Sequence, residues 1–233
     1  MKRLIFVFVM CLSFAAINAQ NTQNAQPAQP AATGEKTFAD LKNEGNAAIN
    51  GKDYQKALDL YEQALAKLGD QPVADTSMIY NMGYCAFSIK NYEKALKYFD
   101  QTASMNYKKV NSLLYEADSY KALKKDAESL KALEAALAIA PDDAKVKSKM
   151  ASYYVKSATS FYSKGSAIIT KANADITAGK LKTTDPAYIT ADQKAKDEYT
   201  KAMPLVEKAL SFDPANKTAT QLKTAIETAL KPQ

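Results

Sequence analysis

The chain has 233 residues, with 31 Lys plus Arg against 25 Asp plus Glu, and contains neither histidine nor tryptophan. Arg3 is its one arginine, so the rest of the chain lacks both the usual general base and metal ligand and the planar fork that grips phosphate. This inventory argues against an enzyme and a zinc site, and interspersed lysines without arginine argue against nucleic-acid binding.

The chain opens as an export signal would. Lys2 and Arg3 precede a largely apolar run over 4–16, and Ala19 offers a small residue at a cleavage point before Gln20. The run is too short for a membrane span. We expect a signal peptide over 1–19, leaving 29 Lys against 25 acids and a single cysteine, Cys85. One cysteine forms no internal disulfide, and on an apolar helix it is expected to be a small buried residue. Residues 20–36 are rich in Gln, Asn, Ala, Pro and Thr with little to bury, and read as a disordered tether.

From residue 37 the pattern becomes helical and repeats itself. Gly45, Tyr54, Ala57 and Tyr61 return with the same spacing as Gly83, Tyr92, Ala95 and Phe99. One small residue and three packing residues at fixed spacing describe a helical hairpin stacked on copies of itself. Turns are expected at Asn50 to Asp53 and near Lys90-Asn91. In this pattern, over residues 38–143, the chain resembles the tetratricopeptide repeat family, whose unit of roughly 34 residues has a small residue at position 8, Ala at 20 and an aromatic or large apolar residue at 24. The small residues at positions 8 and 20 are expected where the two helices come closest.

Later units keep the spacing and drift in content. Ala117, Leu133, Ala136 and Pro141 mark a third unit, with Ser129 where Ala is expected. Ala151 and Tyr154 open a fourth, whose second helix returns late as Tyr199, Ala202, Val206 and Ala209, after a long insertion. An apolar stripe through Phe161, Ile168 and Ile176, weak at Gly165, predicts one long helix from about 144 to 175. A return helix is expected from about 191, kinked at Pro204. A fifth repeat is the alternative, but its first helix would have to contain Asp185-Pro186. The expected architecture is an all-α solenoid over 37–233, with repeats at about 38–71, 76–109, 110–143 and 144–214. The insertion covers about 160–198, and a capping helix about 215–231.

The resemblance implies a non-catalytic, cofactor-free binding module whose first helices line a concave groove for a peptide or protein. The residues it places there include Lys42, Asn46, Tyr80, Asn81, Tyr84, Phe87, Asn111, Asp118 and Lys121. Tyr80, Tyr84 and Phe87 share one helix face and are candidate anchors, or pack on a neighbouring helix. Lys42, Asn46 and Asn81 also match half of the clamp by which some members hold a terminal carboxylate, but Asn111 and Tyr115 stand where its other two cations belong. With the short export signal and the Gln-led polar tether, the expected protein is a bacterial, Gram-negative scaffold of the periplasm or envelope. A glycan- or cell-wall-binding protein with a tyrosine-lined groove is the alternative, and the long hairpin is a candidate self-association surface.

Overall fold

The turns between paired helices in the first three hairpins share one backbone scheme. The computed structural model describes residues 35–69 and 75–231; the expected signal and nearly all of the tether lie outside them. Helix α1 (Phe38–Asn50) is followed by a turn in which Lys52, with a φ of 60°, lies in the left-handed region. The Lys52 N–H donates to the Ile49 carbonyl and the Asp53 N–H to the Ala48 carbonyl, satisfying two groups the helix end would leave bare. Asp53 then caps the next helix, α2 (Tyr54–Leu68), its carboxylate accepting the Lys56 N–H at 3.2 Å.

Lys90 and Asn91 repeat this between α3 (Thr76–Ser88) and α4 (Tyr92–Ser104). Lys124 and Lys125 repeat the backbone part between α5 (Lys109–Ala122) and α6 (Asp126–Ile139), without a side-chain cap. A left-handed lysine costs about 1 kcal/mol that glycine would not.

The last hairpin is longer. Helix α7 (Ala144–Thr177) has 34 residues, about 50 Å at 1.5 Å per residue, and its N-terminus is capped by Asp143. It packs along α8 (Pro186–Phe212), and α9 (Lys217–Leu230) lies against α8 and touches α7. Helix α8 starts ahead of the expected position because Pro186 occupies its first turn, where a missing N–H costs nothing. The helix runs through Pro204 without interruption.

The helices of a hairpin meet with a glycine under an aromatic ring. A Cβ built on Gly45 would stand 2.6 Å from the Tyr61 ring, and one on Gly83 would stand 2.9 Å from the Phe99 ring. The close partner of position 8 is thus the aromatic at position 24. Position 20 lies beside the same backbone, since the Ser129 hydroxyl donates to the Ala117 carbonyl at 2.8 Å. Where the small residue is Ala117 or Ala151, the large one is Leu133 or Val206, and all four are buried. Gly165 makes a third ring contact. Its Cβ would meet Tyr199 at 2.7 Å and the Ala195 carbonyl oxygen at 2.8 Å, so the weak point of the apolar stripe is the long helix's close approach to α8.

Two apolar clusters result. One joins α1 to α4 through residues such as Leu58, Tyr61, Met82 and Phe99; the other joins α5 to α9 through Leu133, Met150, Val206 and Ile226. Cys85 is fully buried in the first, and burial pushes its thiol up to about 12.

Adding a methyl at Gly165 must move backbone, so overpacking of about 1–3 kcal/mol outweighs the helix propensity of about 1 kcal/mol gained. We predict that Gly165→Ala lowers unfolding stability in urea by about 1–2 kcal/mol. Gly51→Ala, at an exposed turn whose nearest atom would be 3.5 Å away, should stay within about 0.5 kcal/mol of wild type.

Candidate functional site

The first helices of successive hairpins lie side by side, and a cleft of about 290 Å³ opens across α3, α5 and α7. Tyr80 comes from α3, Asn111, Leu114, Tyr115 and Asp118 from α5, and Lys145 and Lys149 from α7. Period-3.6 spacing puts Asn111, Leu114, Tyr115 and Asp118 on one face of α5.

The floor is aromatic, with Tyr115 as its hub. Its ring stacks on Phe99 with centroids 4.8 Å apart and planes 6° from parallel. It also meets the edges of Phe87, Tyr84 and Tyr80 at 5.1, 6.0 and 6.4 Å. Such pairs add about 0.5–1.5 kcal/mol each beyond burial. Tyr80, Tyr84 and Phe87 are each half-buried. Both readings of this trio therefore apply: they pack on neighbouring helices, and Tyr80 also borders the cleft. Burial, helped by the neighbouring phenols, pushes the Tyr80 hydroxyl up to about 12, so it stays a neutral donor.

The walls are polar and mainly cationic. Lys149 Nζ reaches both Asp118 oxygens, at 2.7 and 2.6 Å, which ties α7 to α5. Lys108 Nζ stands 4.5 Å from the centroid of the Tyr80 ring, a cation–π contact. Lys145 is exposed and in no ion pair among the described residues. Lys121 lines a smaller neighbouring cavity of about 120 Å³ that shares Asp118 and Lys149.

Of the nine expected groove residues, Tyr80, Asn111 and Asp118 line this cleft, Tyr84 and Phe87 pack against Tyr115, and Lys121 lines the neighbouring cavity, while Lys42, Asn46 and Asn81 lie outside both. Lys42 is paired with the Asp75 carboxylate. Asn46 accepts the Tyr61 hydroxyl at 2.7 Å, and Asn81 acts on the same phenol to lower a pKa that burial raises to about 12. The half-clamp noticed in the sequence is thus engaged by the chain's own groups. Lys149, Lys108 and the central role of Tyr115 escaped the sequence reading. Asp118 and Lys149 stand close to one repeat length apart, and that spacing of opposite charges was the available signal.

Among the described residues no group of three His, Cys, Asp or Glu side chains could hold a metal ion, and no helix is long and apolar enough to cross a membrane. Stacked helical hairpins with a cleft across their first helices define an all-α repeat protein. Residues 76–109, helices α3 and α4, match the tetratricopeptide repeat family model, so the chain contains a tetratricopeptide repeat. No curated protein sequence matches the chain.

Solved structures similar to it include a tetratricopeptide repeat protein from Bacteroides fragilis, 23% identical, covering 83% of this chain and 99% of that one at a TM-score of 0.49. A tetratricopeptide repeat protein from Parabacteroides merdae is 12% identical, covering 83% and 73% at 0.48. The MamA protein of Desulfovibrio magneticus is 18% identical, covering 84% and 96% at 0.45.

Burial opposes ionisation of Asp75, yet Lys42, the Ser77 hydroxyl and the Met78 N–H hold its carboxyl down to about 2. A lowered carboxyl contributes stability above its unfolded value, near 3.8, and loses it as pH falls through about 2. Asp75→Asn keeps the helix cap and removes the charge. It should cost about 1 kcal/mol in urea unfolding at pH 7, discounted for partial exposure, and little at pH 2.

Proposed function

We propose that the chain is a non-catalytic scaffold of the bacterial cell envelope that holds a peptide or protein partner in the cleft across α3, α5 and α7. The observation that carries this is the cleft itself: an aromatic floor with a neutral phenol, ringed by Asn111 and by lysines. An aromatic anchor in a pocket with a polar rim is how polypeptide interfaces concentrate their energy. Export is supported by Lys2 and Arg3 before the apolar run, with cleavage expected before Gln20.

A polypeptide suits the cleft better than a glycan. Sugar rings stack on open aromatic faces, whereas one face of Tyr80 is under the Lys108 ammonium and one face of Tyr115 is on Phe99. The long hairpin offers a second contact surface, for a partner or for a second copy. Ile189 is 57% exposed there, in the turn of α8 that borders a cleft of about 390 Å³ against Ile168 and Ala172.

The test is capture of a partner from the envelope fraction by the chain starting at Gln20. Asn111→Trp/Lys145→Glu changes exposed rim positions and leaves the core intact. It should weaken capture by tenfold or more at unchanged helicity, while Ile189→Asp should leave capture as it is. Loss with Ile189→Asp and not with the rim variant would place the contact on the hairpin and reject the cleft.

A further inference from the structure

The five buried polar side chains among the described residues, Thr102, Ser112, Glu116, Ser119 and Ser129, all lie on α4, α5 and α6. The seam between the two apolar clusters runs between α4 and α5, since the first ends in α4 and the second begins in α5, with Tyr115 alone of α5 reaching back into the first; Ser129, on α6, lies inside the second. The Thr102 and Ser112 hydroxyls join across the seam at 2.8 Å, and the Ser129 hydroxyl reaches the Ala117 carbonyl. Ser119 donates within its own helix to the Tyr115 carbonyl. Glu116 is different: it is 9% exposed, and its Oε1 is the one buried side-chain oxygen or nitrogen without a hydrogen-bond partner among the described residues.

The charged groups that act on this carboxyl have the same sign. Asp100, exposed on α4, pushes it up through its like charge. Tyr120, on α5 itself, feels Glu116, Asp100 and, from α6, Glu128. The tyrosines of α3, Tyr80 and Tyr84, meet the neighbouring Tyr115. A buried carboxylate without a partner and beside a second carboxylate is unfavourable, whereas the protonated form is neutral and can donate.

We propose that the α4–α5 seam is a proton-controlled joint: protonated Glu116 lets the two halves pack together, and its ionisation beside Asp100 loosens them. The joint operates whichever partner the cleft takes. Its consequence for the cleft is direct, because Tyr80 stands on one side of the seam and Asn111, Asp118 and Lys145 on the other. Burial is the main cause that pushes the Glu116 carboxyl up to about 7, with Asp100 adding to it. For an acid raised in the folded state, cohesion is complete below the unfolded value, near 4.5, and is lost as pH rises through about 7.

Hydrogen exchange read by mass spectrometry on the full chain, with each rate divided by that of the unprotected peptide at the same pH, tests this. Between pH 5.5 and 8.5 protection in the segments over 98–122 should fall by about tenfold or more, as the linkage of a raised acid requires. Protection within α2 and within α9 should stay constant. In Glu116→Gln the pH dependence should vanish. In Asp100→Asn, which alters only an exposed position, the fall should be smaller and should finish at lower pH, because the Glu116 carboxyl then loses its like-charged neighbour. Protection that changes equally in all helices or not at all, or a Glu116→Gln protein with the wild-type profile, would overturn the proposal.

Discussion

Close contact between a glycine and a ring on the facing helix sets the spacing of three hairpins, and the rest of the structure depends on it. Tyr61, Phe99 and Tyr199 each lie where a side chain on Gly45, Gly83 or Gly165 would have to be. Interiors are close-packed, so a missing Cβ on one helix and a flat ring on the other fix how near the two axes come. With the hairpins held to one depth, their first helices line up and can share a surface. The third and fourth hairpins carry Ala117 and Ala151 at the glycine position, with smaller buried residues, Leu133 and Val206, in place of the ring, and the fourth regains the ring at Gly165 further along.

The shared surface is not uniform. Toward α1 its polar groups are used internally, with Lys42 on Asp75 and Asn46 on Tyr61, so that end is structural. Toward α7 the cations outnumber their acidic partners, and the cleft opens over the Tyr115 hub. Between them runs the seam of buried hydroxyls and Glu116. The seam is held by the Phe99–Tyr115 stack and the Thr102–Ser112 bond, and its weak point is the orphan carboxyl of Glu116, which packing alone does not satisfy. Adaptability of the cleft is therefore expected at that seam, not within either apolar cluster.

The fold was legible because its signals are periodic. Gly45 to Tyr61 and Gly83 to Phe99 recur at one spacing, the turns carry Asp53 or Asn91 as caps, and the apolar stripe of α7 continues past the usual length. The site was legible only in part. Tyr80, Asn111 and Asp118 follow from their register on the first helices. Lys42 and Asn46 fall outside the cleft, because register says which face a side chain leaves from and not which neighbour takes its charge or hydrogen bond. Lys149 and Lys108 escaped for the same reason, their roles being fixed by contacts to Asp118 and Tyr80 rather than by spacing. Gly165 read as a weakness because its compensating ring, Tyr199, lies on the return helix beyond the intervening loop. Glu116 carries no sequence signal at all, since a glutamate in a helix is ordinarily solvated.

If a polypeptide partner docks in the cleft over Tyr115, backbone amide NMR of the labelled chain, titrated with a peptide from the captured partner, reads it most directly. Shifts are expected to concentrate at Tyr80, Asn111, Leu114, Asp118 and Lys145, with the amides of 168–194 unmoved. Shifts concentrated in 168–194, with the cleft residues silent, would contradict docking in the cleft.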